Sequence, residues 1–82
     1  MKLEVNTNGA WKTILAGLWG KQCEEAMAAV AVLARLDAEM RDAPGRGKPA
    51  TWRLVSEGDG KVARYCTGTA GWVNAYNPER AA

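Results

Sequence analysis

At 82 residues the chain has room for one hydrophobic core and too little for a second domain. A hydrophobic fraction of 48% and a charged fraction of 24% belong to a folded globular protein and exclude a disordered one. The net charge of +2, from 11 basic and 9 acidic residues, is too small to argue for a nucleic-acid partner. We therefore expect one domain over residues 1–76, followed by a flexible tail at 77–82.

The first 16 residues are best explained as a β-hairpin. Asn8-Gly9 is a strong signal for a two-residue type I′ turn, and the strands on either side of it alternate in polarity. In this register Trp11, Thr13 and Leu15 lie on the face that points away from the core. The apolar face comprises Leu3, Val5, Ala10 and Ile14, with Lys12 as a misfit.

A helix is the alternative for the same segment. Its apolar stripe would comprise Trp11, Ile14, Leu15, Leu18 and Trp19. Gly17 and Gly20 would each cost the interior of such a helix about 1 kcal/mol relative to alanine, which favours the hairpin.

The clearest predicted element is a helix over residues 18–41. Its acidic first turn and basic last turn suit the helix dipole, and Pro44 with Gly45 ends it. Apolar residues recur at intervals of three and four, which places them along one face. This predicted core face comprises Cys23, Ala26, Met27, Val30, Leu33, Leu36 and Met40.

The last third of the chain predicts a second hairpin. Residues 51–57 and 61–67 are rich in β-branched and aromatic side chains, and Asp59-Gly60 between them fits a two-residue type I′ turn. One predicted face comprises Trp52, Leu54, Ala63 and Tyr65. The other comprises Arg53, Val55, Glu57, Val62, Arg64 and Cys66.

These elements predict an α+β fold of the order ββαββ. The simplest arrangement is a four-stranded, mainly antiparallel sheet with one long helix packed on one face. Residues 71–76 pack against this unit or add a short edge segment.

The residue inventory argues against an enzyme. The chain has no histidine, which removes the commonest general base and the commonest metal ligand. Cys23 lies on the apolar face of the predicted helix, where a buried small hydrophobe is the expected role. With Cys66 it forms no zinc-binding pattern. We expect no catalytic residue, no cofactor and no bound metal.

The same inventory bears on location. Two cysteines, no apolar leader and no apolar stretch of about 20 residues predict a cytoplasmic protein with reduced thiols and no membrane segment. The loop over residues 44–49 is rich in glycine but lacks the spacing of a phosphate-binding loop, so we expect a flexible linker.

One surface stands out from a generic fold of this size. Because a single helix covers one face of a sheet, the other face would expose apolar and arginine side chains, a composition typical of protein interfaces. The residues predicted to bind a partner are Trp11, Leu15, Arg53, Val55, Val62 and Arg64. Further contacts to an acidic partner or to phosphate are predicted for Lys12, Arg46, Lys48 and Lys61.

In size and composition the chain resembles small proteins of bacteriophages and other mobile elements, although no motif matches a family. This resemblance implies a non-enzymatic module that binds a protein, such as an inhibitor of a host defence complex, or that self-associates as a dimer. The alternatives are a small nucleic-acid-binding protein and a virion or assembly subunit. In the nucleic-acid alternative, bases would stack on Trp11 or Tyr65 between arginines.

Overall fold

A computed structural model describes residues 1–7, 9–41, 49–68 and 70–75. Within these residues one helix packs on an antiparallel sheet of five strands, which confirms the α+β class and adds one strand to the predicted four. The elements are β1 Lys2–Asn6, β2 Trp11–Leu15, α1 Lys21–Arg41, β3 Thr51–Val55, β4 Val62–Thr67 and β5 Gly71–Asn74. The strand order across the sheet is β2-β1-β3-β4-β5. The predicted tail at 77–82 lies outside the described residues.

The first hairpin adopts the register predicted around the Asn-Gly turn for most of its length. Asn6 pairs with Trp11, and the pairing continues inward along both strands. Gly9 has a φ of 87°, a left-handed conformation that glycine adopts without strain, whereas Asn8 lies outside the described residues. At the far end Ile14 is the extra residue of a β-bulge, so Leu15 rather than Ile14 lies opposite Leu3.

The register predicted for the second hairpin is wrong. The Ser56 amide donates to the Lys61 carbonyl at 2.9 Å, so the loop has four residues instead of two. By itself, a four-residue loop leaves Val55 and Val62 on the same face of the sheet, as predicted. A β-bulge at Ala63 then reverses every later residue of β4. The reversed residues are Arg64, Tyr65, Cys66 and Thr67.

The helix begins at Lys21, three residues after the predicted start at residue 18. Gly20 adopts a φ of 61°, which interrupts regular helical geometry before this point. The Leu18 amide instead donates to the Met1 carbonyl at 2.8 Å, which ties the connection between β2 and α1 to the beginning of β1. Arg41 is the last helical residue, and the predicted stop at Pro44 lies outside the described residues.

The core lies between α1 and the strands β3, β4 and β5, with Leu3 of β1 at its margin. The buried helix residues are Val30 and Ala34, with Cys23 and Met27 partly buried beside them. The predicted core face is therefore only half correct. The exposed remainder comprises Leu33, Leu36 and Met40.

Close contact between the helix and the turn from β4 to β5 explains why the helix buries a different face from the predicted one. A Cβ atom added to Gly68 would lie 2.5 Å from the Ala34 carbonyl oxygen and would also clash with the Ala38 side chain. The small residues Gly68, Ala34 and Ala38 thus let the backbones approach, and bulky Leu33 or Leu36 could not occupy that interface. Trp72 of β5 fixes the same side of the helix, because its indole Nε1 donates to the Met27 carbonyl at 2.8 Å.

Replacing Gly68 with alanine tests this contact. We expect Gly68→Ala to lower the free energy of unfolding by about 1–3 kcal/mol, because the helix must move away from the sheet. Gly58→Ala is the matched control, since nothing lies within 4 Å of the position that its new methyl group would occupy, and the free energy should stay within about 0.5 kcal/mol. Urea denaturation of both variants measures the difference. Equal stabilities would show that the helix does not depend on this close approach.

Candidate functional site

The sheet face opposite the helix, here called the outer face, carries the candidate site. Register places Glu4 of β1 opposite both Thr13 of β2 and Arg53 of β3. Arg53 in turn pairs with Tyr65 of β4. Directly paired residues of antiparallel strands point to the same side, so these four side chains form one row across the sheet. Trp11 lies one row further along, opposite Asn6 of β1.

A buried carboxylate lies at the centre of this row. Glu4 is 6% exposed, and its Oε1 accepts a hydrogen bond of 2.6 Å from Arg53 Nε. Lys2 Nζ lies 3.5 Å from the other oxygen, Oε2, to which Thr13 Oγ1 donates at 3.4 Å. The hydrogen bond from Arg53 holds the pKa of Glu4 below its ordinary value and outweighs the opposite effect of burial. Glu4 is therefore a fixed negative charge that positions Arg53.

Trp11 and Arg53 form the most distinctive contact of the outer face. The Arg53 guanidinium carbon lies 4.0 Å from the centroid of the Trp11 ring, which is a cation–π geometry. The ring of Tyr65 lies on the same side, with its centroid 6.5 Å from that of Trp11 and an interplanar angle of 54°. Trp11 and Arg53 are on strands separated by β1, so this contact spans three strands of the sheet. The contacts hold all three side chains in place, and each of the three stays partly exposed.

The other predicted partner-binding residues divide between the two faces. Val55 and Val62 are paired on the outer face, at the end of the sheet far from Trp11, and Val55 is buried. Leu15 pairs with Leu3 and Arg64 pairs with Leu54, so both lie on the side of the helix. The β-bulges at Ile14 and Ala63 cause these two misplacements, because each reverses the faces of the residues after it.

The predicted basic contacts do not form one surface. Lys12 pairs with Val5 on the helix side of the sheet, whereas Lys61 is exposed beside the loop between β3 and β4. Arg46 and Lys48 lie outside the described residues. Arg53 is neutralised by Glu4. No stripe of positive charge therefore follows the outer face among the residues that the structure describes.

The sequence does not indicate that Glu4 belongs to the candidate site, and its alternation places Tyr65 on the core face. In an alternating strand, a glutamate between Leu3 and Val5 is expected to be a solvated charge. Its burial follows only from the pairing with Arg53 in the folded sheet. Simple alternation along β4 assigns Tyr65 to the core, because the bulge at Ala63 leaves no recognisable signal. The position of Thr13 opposite Glu4 follows from the Asn-Gly turn, so this neighbour could have been found.

The two cysteines are unpaired, and Cys66 is fully buried. Burial raises the pKa of the Cys66 thiol to about 11, so the group is protonated at neutral pH and is a weak nucleophile. Within the described ranges no cluster of three His, Cys, Asp or Glu side chains is placed to hold a metal ion. Over the same part of the chain, no helix has the length and apolar character needed to cross a bilayer.

No protein-family model, curated protein or solved structure matches the chain.

Trp52 and Trp11 lie on opposite faces of the sheet, so replacing each with alanine should lower the free energy of unfolding by a different amount. Trp52 is buried under the helix, so Trp52→Ala should lower the free energy of unfolding by about 3–5 kcal/mol. Trp11 is half-buried and contacts Arg53 on the uncovered face, so Trp11→Ala should cost about 1 kcal/mol. Thermal melting of the two variants compares them. Equal losses would make Trp11 a structural residue and would remove it from the candidate site.

The charge of Glu4 predicts a specific dependence of stability on pH. Its folded pKa is lowered, so the stabilisation is complete above the pKa of the unfolded chain and disappears as pH falls through the folded pKa. Glu4→Gln should therefore lose less stability than the parent protein between pH 7 and strongly acidic pH. The pKa of Asp37 is also lowered, since the Ala50 amide and Arg41 outweigh the effect of burial, but Asp37 is common to both proteins. Parallel losses in urea titrations would contradict the pairing of Glu4.

Proposed function

We propose that the chain is a small non-enzymatic binding module that holds a protein partner on its outer sheet face. The observation that carries this proposal is the Trp11–Arg53 contact, held by the buried Glu4 on the sheet face opposite the helix. Tryptophan, tyrosine and arginine are the residues that most often contribute large binding energies at protein interfaces. Side chains fixed before binding lose less conformational entropy when a partner arrives.

The charges of this face support a protein partner over a nucleic acid. Lys2 and Arg53 are balanced in part by Glu4, whereas Lys12 and Arg64 lie on the helix side of the sheet. Phosphate backbones are bound by several uncompensated Lys and Arg side chains, with stacking as an addition. The balanced outer face instead suits a protein surface with polar and apolar groups in alternation.

The proposed binding module could be an inhibitor of a host complex or a subunit of an assembly, and the two differ in the complexes that they form. An inhibitor of a host defence complex would form a stable complex of fixed stoichiometry with one host enzyme. A virion or assembly subunit would form ordered higher oligomers. Size-exclusion chromatography with light scattering separates these two outcomes.

A pair of tryptophan variants tests the proposed surface. The parent protein is immobilised and exposed to a host lysate that has been treated with nuclease. The affinity of each variant for a partner that the parent protein retains is then measured. Trp11→Ala should weaken binding by about tenfold or more if the ring is an anchor. Trp19→Ala is the matched control, because this tryptophan is 79% exposed and lies outside the outer face. Equal effects of the two substitutions would contradict the proposal.

The nucleic-acid alternative makes a separate prediction about salt. Contacts to phosphates would give an affinity that is highest at low ionic strength and falls steeply as salt is added. We expect no gel shift of single-stranded or double-stranded oligonucleotides even at low salt. A salt-dependent shift that Trp11→Ala removes would replace the protein partner with a nucleic acid.

A further inference from the structure

Arg53 keeps unused hydrogen-bond donors on the outer face. It donates to Glu4 through Nε, which carries one of the five N–H groups of the guanidinium. No residue of the described chain other than Glu4 accepts a hydrogen bond from Arg53. The side chain is 23% exposed, so solvent reaches it. The donors that Glu4 does not use can therefore be satisfied only by water or by an acceptor that a partner supplies.

The carboxylate of Glu4 cannot serve such a partner, because it is already occupied. Its Oε1 accepts the hydrogen bond from Arg53, and its Oε2 accepts one from Thr13 and lies close to Lys2 Nζ. The residue is also buried. A partner that approaches the outer face at this point meets the cationic groups of the cluster before it meets the carboxylate.

The cluster carries an excess of one positive charge. Lys2 pairs with Val55 and Glu4 pairs with Arg53, which places both cations on the outer face with a single carboxylate between them. Of the strand residues that point to this face, Glu4 alone is acidic. Glu57, beyond the end of β3, lies beside the Met1 ammonium instead. The excess charge is therefore complementary to one anionic group.

The aromatic rings determine which kind of anion fits. Trp11 stacks on the Arg53 guanidinium and fixes its plane, and Tyr65 lies beside the indole. A guanidinium held in this way binds a carboxylate within its own plane, through two parallel N–H groups. The ring surfaces that stay exposed are apolar and suit an apolar side chain next to that carboxylate.

We infer that the outer face recognises an aspartate or glutamate side chain of its partner that is flanked by an apolar residue. This inference rests on the proposed function and names the chemistry of the partner. The carboxylate accepts hydrogen bonds from the terminal nitrogens of Arg53, and the apolar neighbour packs on Trp11 and Tyr65. One carboxylate balances the single excess charge. A phosphate group, with about two negative charges at neutral pH, would leave one of them unbalanced beside Glu4.

Short peptides test this inference by NMR. The isotope-labelled full chain is titrated at low ionic strength with the acetylated and amidated tripeptide Leu-Asp-Leu and with its neutral counterpart Leu-Asn-Leu, while the Arg53 Nε–H and Trp11 indole N–H resonances are followed. We expect a Kd on the order of a few millimolar for the acidic peptide. The neutral peptide should bind about fivefold more weakly or worse, because charge-assisted hydrogen bonds are stronger than neutral ones. Equal affinities, or no shift with either peptide at about 50 mM, would overturn the inference.

A conservative substitution at the arginine separates shape from charge. Arg53→Lys keeps a positive charge beside Glu4 but loses the planar pair of donors, so it should bind the acidic peptide about fivefold more weakly. Arg35→Lys is the matched control, because Arg35 is exposed on the helix, where it pairs with Glu39, and it should change nothing. Amide spectra confirm that both variants are folded. An Arg53→Lys protein that binds the acidic peptide as tightly as the parent would contradict the inferred contact.

Two further comparisons separate this inference from its alternatives. Inorganic phosphate, titrated in the same way, should bind more weakly than the acidic peptide, and tighter binding would replace the carboxylate with a phosphate ligand. If the lysate partner depends on Trp11 while the peptides show no preference for aspartate, the proposed function stands and this inference fails. If aspartate is preferred while Trp11→Ala and Trp19→Ala affect the lysate partner equally, the carboxylate site stands and the proposed function fails.

Discussion

One helix has to cover a sheet of five strands, and it is too narrow to do so. An α-helix about 10 Å across covers two or three strands spaced about 4.8 Å apart. Here it lies over β3, β4 and β5, at a position set by the approach of Ala34 and Ala38 to Gly68. The outer face of the sheet and the helix side of β2 are left without a layer of their own. The outer face proposed to bind a partner follows from this mismatch in width.

The sequence predicts which segments form the fold better than which faces they bury. The Asn-Gly turn correctly pairs β1 with β2 and places Trp11 on the outer face. The two β-bulges, at Ile14 and Ala63, leave no comparable signal, because neither position carries a glycine or another residue that marks a bulge. Each extra residue reverses the side chains after it. That is why simple alternation places Leu15 and Arg64 on the outer face and leaves Cys66 out of the core.

The buried face of the helix is hard to predict from the sequence for a different reason. Its apolar residues form two overlapping stripes, one through Met27, Val30 and Ala34 and the other through Leu33, Leu36 and Met40. Periodicity favours the stripe with the larger side chains, since these bury more apolar area. The choice is made instead by a glycine far away in sequence, Gly68, which admits only small residues beside it. Such a preference depends on tertiary contact and is invisible to a local pattern.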